Sequence, residues 1–177
     1  SIKLINIDYL IFFFMSEAIK IHSKGDFKFM RDAGSLAADC LDYITDFIKP
    51  GISTGEIDKI CHGFQVENGA VPAPLNYKGF PKSVCTSVNH VVCHGIPGDK
   101  ILKDGDIINI DVTRIFNGWH GDTSRMFHVG KVKIKAKKLV EITYEAMMRG
   151  IEIVKPGNTT GDIGYAIQSY VEKNHYS

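Results

Sequence analysis

Two aspartates, Asp111 and Asp122, lie in a segment that otherwise has the β-branched and aromatic composition of strands, NIDVTRIFNGWHGDTSRMF at residues 109–127. Carboxylates that converge on one face repel each other unless a positive charge lies between them. A divalent metal ion, or a pair of ions about 3.5–4 Å apart, would remove that repulsion and could activate water for hydrolysis. The alternative is a solvent-facing hairpin with two unrelated acids, and the residue types alone leave both interpretations open.

The dipeptide Asn-Gly at 117–118 predicts how the two acids are oriented. Flanked by alternating apolar residues, it is typical of a two-residue type I′ turn in a β-hairpin. Such a turn places Asp122 opposite Thr113 and Asp111 opposite Ser124, so both carboxylates project from one face as diagonal neighbours. The other face carries apolar residues that we expect in the core: Ile108, Ile110 and Val112.

Four amphipathic helices are predicted around this hairpin. Apolar residues at alternating three- and four-residue steps predict the first helix over about 23–48. The capping box STGE at 53–56 begins the second helix, which Gly69 is placed to end in a left-handed conformation. Two further helices are expected at about 136–154 and 160–173. The inward stripe of the first helix consists of Phe27, Met30, Gly34, Ala37, Leu41, Ile44 and Ile48.

The segment between the second helix and the hairpin is predicted to be mostly irregular. Residues 71–83 are punctuated by Pro and Gly and should form a loop. Short strands are expected at 85–88 and 91–94, followed by the hairpin at about 106–129.

Two local arrangements in the predicted strand 91–94 suggest chemistry but are set aside. Cys93-His94 has the residue types of a nucleophile–base pair, yet adjacent strand residues point to opposite faces and cannot form a dyad. His90 and His94 would share a face about 13 Å apart, which is too far for one ion.

A repeat indicates internal duplication. The nonapeptide KPGISTGEI at 49–57 recurs as KPGNTTGDI at 155–163, with six of nine positions identical. Both copies lie between two predicted helices. At the same offset the strands of the second copy would lie at roughly 190–230, beyond the 177 residues of this chain. We therefore expect a first copy at about 26–130 and the start of a second at about 131–177.

Composition limits the class of protein. The chain has 177 residues, 44% of them hydrophobic, and a formal net charge of +1. These values suit one globular domain, at 15–177, and give no reason to expect nucleic acid or an acidic membrane as a partner. The basic run KVKIKAKK at 131–138 is expected to be a solvated connector and first helical turn. The four cysteines lack C-x-x-C spacing and are expected to be free thiols in a reducing compartment.

The N-terminal segment is not expected to belong to the folded domain. The apolar run YLIFFFM at 9–15 is too short to span a bilayer, and it lacks the flanks of a signal peptide. Met15 is expected to be the natural start, with 1–14 as an upstream non-native or disordered segment.

Three stretches carry a resemblance to a known family: NYKGFPKSVCTSVNHVVCHGIPGD at 76–99, LKDGDIINIDVT at 102–113 and NGWHGDTSRMFHVG at 117–130. Together they resemble the bacterial-type methionine aminopeptidases, which are M24 metallopeptidases, over about 16–177. The resemblance implies the pita-bread α/β (α+β) fold, two pseudo-symmetric halves of helices and hairpin around a dinuclear metal site. The first half would be complete, with the helices of the second half present and its half-sheet missing.

The resemblance also implies roles for individual residues. Asp111 would ligate one metal ion bidentately, and Asp122 would bridge two ions. His94 would bind no metal but would hydrogen-bond the substrate near the scissile amide and assist turnover. Tyr77, Phe80 and Cys85 would line the pocket for the methionine side chain. The alternative for Tyr77 and Phe80 is packing of loop residues onto the sheet, and for Cys85 it is filling of the core.

The implied reaction removes the initiator methionine from nascent chains whose second residue is small. Two divalent ions (Co²⁺, Mn²⁺, Fe²⁺ or Zn²⁺) would lower the pKa of a bridging water, and a glutamate would act as general base. The implied setting is the cytoplasm, at N-termini emerging from the ribosome, with a monomeric complete protein. The remaining ligands of the family, one histidine and two glutamates, have no counterpart here, so the 177-residue polypeptide alone is expected to be inactive.

Two other functions remain as alternatives. X-Pro aminopeptidases and dipeptidases share the implied fold, although the motif CHGIP at 93–97 favours the methionine enzyme. A non-catalytic binding module of the same fold is the second alternative, against which the presence of Asp111, Asp122 and His94 argues.

Overall fold

The structure is a computed structural model that describes residues 19–177. The expected start at Met15 and the segment 1–14 lie outside the described residues. The described elements follow one another as α1 (Asp26–Thr45), α2 (Thr54–Glu67), β1 (Val71–Pro72), β2 (Cys85–Val88), β3 (Ile107–Phe116), β4 (Trp119–His128), α3 (Ile134–Glu152) and α4 (Thr160–Lys173), with a short 3-10 turn at Tyr77–Gly79.

The β3–β4 hairpin is confirmed with its predicted turn and register. Asn117 and Gly118 have φ angles of 50° and 81°, the positive values that a type I′ turn requires. Thr113 is paired with Asp122 and Asp111 with Ser124.

Strand β3 of the hairpin is the central strand of a four-stranded antiparallel sheet. β4 occupies one edge of β3, while β1 and β2 pair with successive parts of the other edge. β1 lies inside the predicted loop 71–83, where Val71 and Pro72 pair with only two residues of β3.

Helices α1 and α2 cover one face of the sheet and form the core with it. Cys61 on α2 and Leu41 on α1 are buried in one cluster with the predicted core residues of β3. Gly121 allows this close packing, because a Cβ atom at that position would collide with the backbone carbonyl of Ala33. The core residues of β3 are Ile108, Ile110 and Val112, as predicted.

The predicted stripe of α1 is wrong at its first turns. Phe27 and Met30 are 44% and 50% exposed, whereas Ala33 is the first fully buried apolar residue of the helix. The start of α1 passes the end of the hairpin, where Phe29 stacks on Trp119 with ring centres 6.2 Å apart. The first turns of α1 therefore extend past the sheet, and their apolar residues have no sheet to pack against.

The predicted strand at 91–94 is also wrong, since this segment is a loop. Asn89 takes a left-handed φ of 54°, and the Val91 N–H donates to the Val88 carbonyl at 3.1 Å, which turns the chain out of the sheet. His94 is left-handed as well. The arguments against a Cys93–His94 dyad and against a metal ion shared by His90 and His94 both assumed strand geometry. Neither argument therefore holds.

The repeated nonapeptide has the same local structure in both copies. Ser53 and Thr159 cap α2 and α4 with complete capping boxes, and the preceding glycines, Gly51 and Gly157, have φ angles of 101° and 92°. α3 begins two residues before its predicted start and packs against α4, where a Cβ on Gly150 would lie 2.8 Å from Ile167 Cδ1. No helix within residues 19–177 combines the length and the apolarity that crossing a bilayer requires.

Candidate metal and substrate site

The sheet face opposite α1 and α2 borders an open cavity of about 780 Å³. Its wall contains all six residues to which the family resemblance assigned a role. Asp111 and Asp122 come from the hairpin, Cys85 from β2, and His94 from the loop after β2. Tyr77 and Phe80 come from the segment between β1 and β2. The structure thus brings together six residues separated by up to 45 positions in the sequence.

The two aspartates interact across the hairpin. Partial burial raises the pKa of Asp111, and the negative charge of Asp122 raises it further, while His94 acts in the opposite direction. The hydroxyl of Thr113 donates a hydrogen bond of 2.9 Å to Asp122 Oδ1 and so fixes the orientation of that carboxylate. A partly buried carboxylate that is repelled by a second, exposed one is an arrangement that a cation would stabilise.

The donor atoms of this pair suit an oxygen-preferring divalent cation such as Mn²⁺ or Fe²⁺. They supply only part of a coordination shell, however, since no group of three or more potential ligands occurs within residues 19–177. Asp111 and Asp122 therefore fit one wall of a metal site.

Cys85 lies directly opposite Asp111 on the neighbouring strand. Burial, followed by the charge of Asp111, raises the pKa of the Cys85 thiol to about 11. Cys85 is therefore neutral at physiological pH and contributes a small, polarisable apolar surface to the cavity.

Backbone geometry holds His94 against the sheet. The Gly95 N–H donates to Ser87 Oγ at 3.2 Å, and the Gly95 carbonyl accepts from the Thr86 N–H at 2.8 Å. A Cβ at Gly95 would collide with the Thr86 carbonyl, so this contact requires glycine. The loop is thereby fixed to β2 immediately after His94, whose side chain borders the cavity.

The aromatic residues of the cavity lie on a tight, closed turn. The Asn76 N–H donates to the Phe80 carbonyl at 2.8 Å, and the Phe80 N–H donates to the Tyr77 carbonyl at 2.9 Å. Asn76 and Lys78 both have positive φ angles, of 68° and 47°. Tyr77 remains 64% exposed, which leaves its ring available to a ligand.

Two ionisable residues of the cavity wall were not predicted from the sequence. His120 lies two positions before Asp122 on β4, and alternation along the strand would have placed it on the same face. Lys78 lies between the two predicted aromatic residues, but its left-handed backbone has no clear sequence signal.

The chain is similar in sequence to known proteins over most of its length, including the residues of this cavity. The sequence profile described as metallopeptidase family M24 matches residues 28–177. Methionine aminopeptidase of Rickettsia prowazekii is 64% identical over 159 residues, which cover 90% of this chain and 61% of the relative. Methionine aminopeptidase of Escherichia coli K12 is 54% identical over 162 residues, with the same coverage of 90% and 61%. The chain thus spans about 61% of the length of these relatives.

Solved structures give the same result. The crystal structure of methionine aminopeptidase from Rickettsia prowazekii superposes with a TM-score of 0.89 over 90% of this chain and 64% of the other. The Xaa-Pro dipeptidase from Bacillus anthracis superposes with a TM-score of 0.78 at 23% identity, covering 88% of this chain and 42% of the other. The second similarity is one of fold alone.

Proposed function

The chain belongs to metallopeptidase family M24, and from that premise we propose that its cavity is one side of a methionine aminopeptidase site. The fold expected from the sequence, a pita-bread α/β architecture, is confirmed by the superposition on a solved methionine aminopeptidase. The observation that carries the proposal is the convergence of Asp111, Asp122 and His94 on one cavity beside Tyr77 and Phe80.

The proposed reaction is hydrolysis of the first peptide bond of a chain that begins with methionine and has a small second residue. Asp111 and Asp122 would hold two divalent ions, Co²⁺, Mn²⁺, Fe²⁺ or Zn²⁺, together with ligands from beyond this sheet. Divalent ions in such a site supply Lewis acidity toward a carbonyl and a nucleophile at neutral pH.

The residues of this chain would bind and orient the substrate. Thr113 keeps the Asp122 carboxylate in place through its hydroxyl. His94 would donate a hydrogen bond near the scissile amide from its fixed loop. The neutral Cys85 thiol and the rings of Tyr77 and Phe80 would pack around the methionine side chain, where soft and aromatic atoms suit a thioether.

The cellular setting is proposed on the same basis. The substrates would be the N-termini of nascent polypeptides in the cytoplasm, reached at the ribosome, and the complete protein would act as a monomer. Within the chain, residues 26–130 would form the first repeat and residues 131–177 the start of the second.

The 177-residue polypeptide by itself is proposed to lack turnover. Two carboxylates leave most coordination positions of a metal pair unfilled, and the described residues add no third ligand. Incubation of the isolated chain with a Met-Ala-Ser peptide and Mn²⁺ or Co²⁺ should therefore release no methionine, and clear release would contradict this part of the proposal.

The reaction itself can be tested in a chimera. The chain is fused to the part of the Rickettsia prowazekii methionine aminopeptidase that follows the matched segment. We expect the chimera to cleave Met-Ala-Ser and the Asp111→Asn chimera to be inactive, with Asp99→Asn, an exposed loop aspartate, as the active control. Cleavage of X-Pro peptides in preference to Met-Ala-Ser would instead identify an X-Pro enzyme.

A folded chimera that binds no metal and cleaves neither substrate would identify the third alternative, a non-catalytic binding module. Metal content measured by mass spectrometry on the same preparation separates this outcome from simple inactivity.

A further inference from the structure

One charged side chain of the cavity wall has no part in the function proposed above. Lys78 lies between Tyr77 and Phe80 and borders the cavity, and it is the only lysine or arginine of the wall in the part of the chain that the structure describes. The acids of the wall, Asp111 and Asp122, come from the hairpin, whereas Lys78 comes from the turn between β1 and β2. The cavity thus carries a positive charge on one element and negative charges on another.

The backbone fixes the place of Lys78 on the wall. Its φ and ψ angles of 47° and 34° are left-handed, a conformation that glycine adopts freely and lysine adopts rarely. Hydrogen bonds from Asn76 to Phe80 and from Phe80 to Tyr77 close the turn around it. A strained backbone that its surroundings enforce is typical of ligand-binding positions. The Lys78 Cα atom is therefore held in place while its side chain stays exposed.

The ammonium group of Lys78 has no acidic partner in the described chain. Lys78 takes part in no ion pair within residues 19–177. Its Nζ lies 5.5 Å from the centre of the Tyr77 ring, which is a weak contact at an exposed site. In contrast, Lys82 Nζ lies 4.0 Å from Asp58 Oδ2. The charge of Lys78 is thus available to a ligand that packs against Tyr77.

The proposed substrate determines which of its residues can use this charge. Its first residue brings an ammonium group and the methionine side chain that packs beside Tyr77 and Phe80, and its second residue is small. Neither residue offers a carboxylate to Lys78. An extended chain advances about 3.3–3.6 Å per residue, so the third Cα lies about 7 Å from the first, a distance that the long flexible stem of lysine can span. The third residue therefore carries the first side chain that can neutralise Lys78.

We propose that Lys78 is a specificity-determining residue that pairs with an acidic side chain at the third position of the substrate. The preferred substrates then begin with methionine, a small residue, and Asp or Glu. This inference rests on the proposed aminopeptidase function and defines the substrate class of the same cavity more narrowly.

The expected size of the preference follows from the exposure of the lysine. An ion pair at an exposed site changes an equilibrium constant by roughly twofold to fivefold. Salt screens such a pair, since the Debye length falls from about 10 Å at 0.1 M to about 3 Å at 1 M. We therefore expect a modest preference that is lost at high ionic strength.

Binding to the 177-residue chain tests the pairing directly. Two peptides are compared, Met-Ala-Asp-amide and Met-Ala-Asn-amide, which have nearly the same shape and differ by one charge. The titration is followed through the NMR amide signals of Tyr77, Lys78 and Phe80. The Kd of the aspartate peptide should be lower by roughly twofold to fivefold. Lys78→Met should remove this difference, and Lys59→Met, which changes an exposed lysine of α2 outside the wall, should keep it.

Each result of this titration has a distinct meaning. Equal Kd values of the two peptides for the wild-type chain would overturn the inference while leaving the methionine pocket intact. A difference that survives in Lys78→Met would also overturn it, because another cation would then be responsible. If neither peptide shifts the signals of Tyr77 and Phe80, the proposed pocket itself is wrong and the inference fails with it.

Charge reversal in the chimera extends the test to turnover. The measured quantity is the ratio of kcat/KM for Met-Ala-Asp-amide to that for Met-Ala-Lys-amide. This ratio should exceed unity with the wild-type residue, approach unity in about 1 M NaCl, and fall below unity in Lys78→Glu. A folded chimera that cleaves neither peptide would contradict the proposed function, on which the inference rests. Cleavage of both peptides with a ratio that stays above unity in Lys78→Glu would overturn the inference alone.

Discussion

Cys85 and Asp111 lie directly opposite each other on β2 and β3, and the thiol is kept neutral because burial and the Asp111 charge raise its pKa to about 11. A thiolate at this position would bind a soft metal ion and compete with the carboxylates for it. The geometry instead gives the cavity an apolar sulfur next to an acid pair, as the proposed pocket for a methionine side chain beside a metal ion would require.

This relationship predicts the pH dependence of Cys85 alkylation. In the folded chain, Cys85 should react with an alkylating reagent only as the pH approaches about 11. Asp111→Asn should move that profile to lower pH, since it removes one of the charges that raise the pKa. Mass spectrometry of peptides after timed alkylation measures the effect, with the exposed thiol of Cys93 as an internal control. An unchanged Cys85 profile in the variant would show that the two side chains are not electrostatically coupled.

A second prediction concerns stability. Burial and Asp122 raise the pKa of Asp111, so the stability linked to this group is present below the unfolded pKa of about 3.9 and is lost as the pH rises through the higher folded value. Asp111→Asn cannot ionise and should be more stable at neutral pH, by roughly 0.5–2 kcal/mol. Thermal unfolding at pH 3 to 8 measures this difference, and Asp99→Asn should show no comparable gain. A destabilised Asp111→Asn variant would mean that the carboxylate has a compensating partner.

A third prediction addresses the packing of α1 on the hairpin. Gly121→Ala should destabilise the chain by at least about 2 kcal/mol, because the added methyl group collides with the Ala33 carbonyl. The matched control is Gly63→Ala in α2, because a Cβ at this position would meet nothing within 4 Å. This substitution should stabilise the chain by about 0.5–1 kcal/mol. Trp119 is the single tryptophan of the chain and stacks near α1, so its fluorescence follows unfolding. Equal stability of the two variants would contradict the close contact.

The hairpin could be predicted from sequence because its determinants are local. The Asn117-Gly118 turn fixes the register, and alternation along the strands then assigns each side chain to a face. The shared face of Asp111 and Asp122 follows without any tertiary information. The capping boxes at Ser53 and Thr159 were predictable for the same reason, since each involves four consecutive residues.

The errors arose where distant contacts override local preference. Val91 and Val92 favour strand by composition, yet Asn89 turns the chain there by bonding to residues of the following segment. The Asn89 side chain donates from Nδ2 to Asp106 Oδ1 at 2.9 Å, and its Oδ1 accepts from the Ile107 N–H at 3.1 Å. Sequence periodicity has no access to such contacts. Arg114 is a related case, because strand alternation assigns it to the core while its charge suggests the surface.

The central claim is that Asp111 and Asp122 together form one wall of a divalent metal site, and Mn²⁺ titration followed by NMR tests it most directly. Paramagnetic broadening should be centred on the amide signals of Asp111, Asp122 and Cys85 in the wild-type chain. It should persist in Asp99→Asn and disappear in the Asp111→Asn, Asp122→Asn double variant. Broadening centred elsewhere, or broadening that survives in the double variant, would contradict the claim.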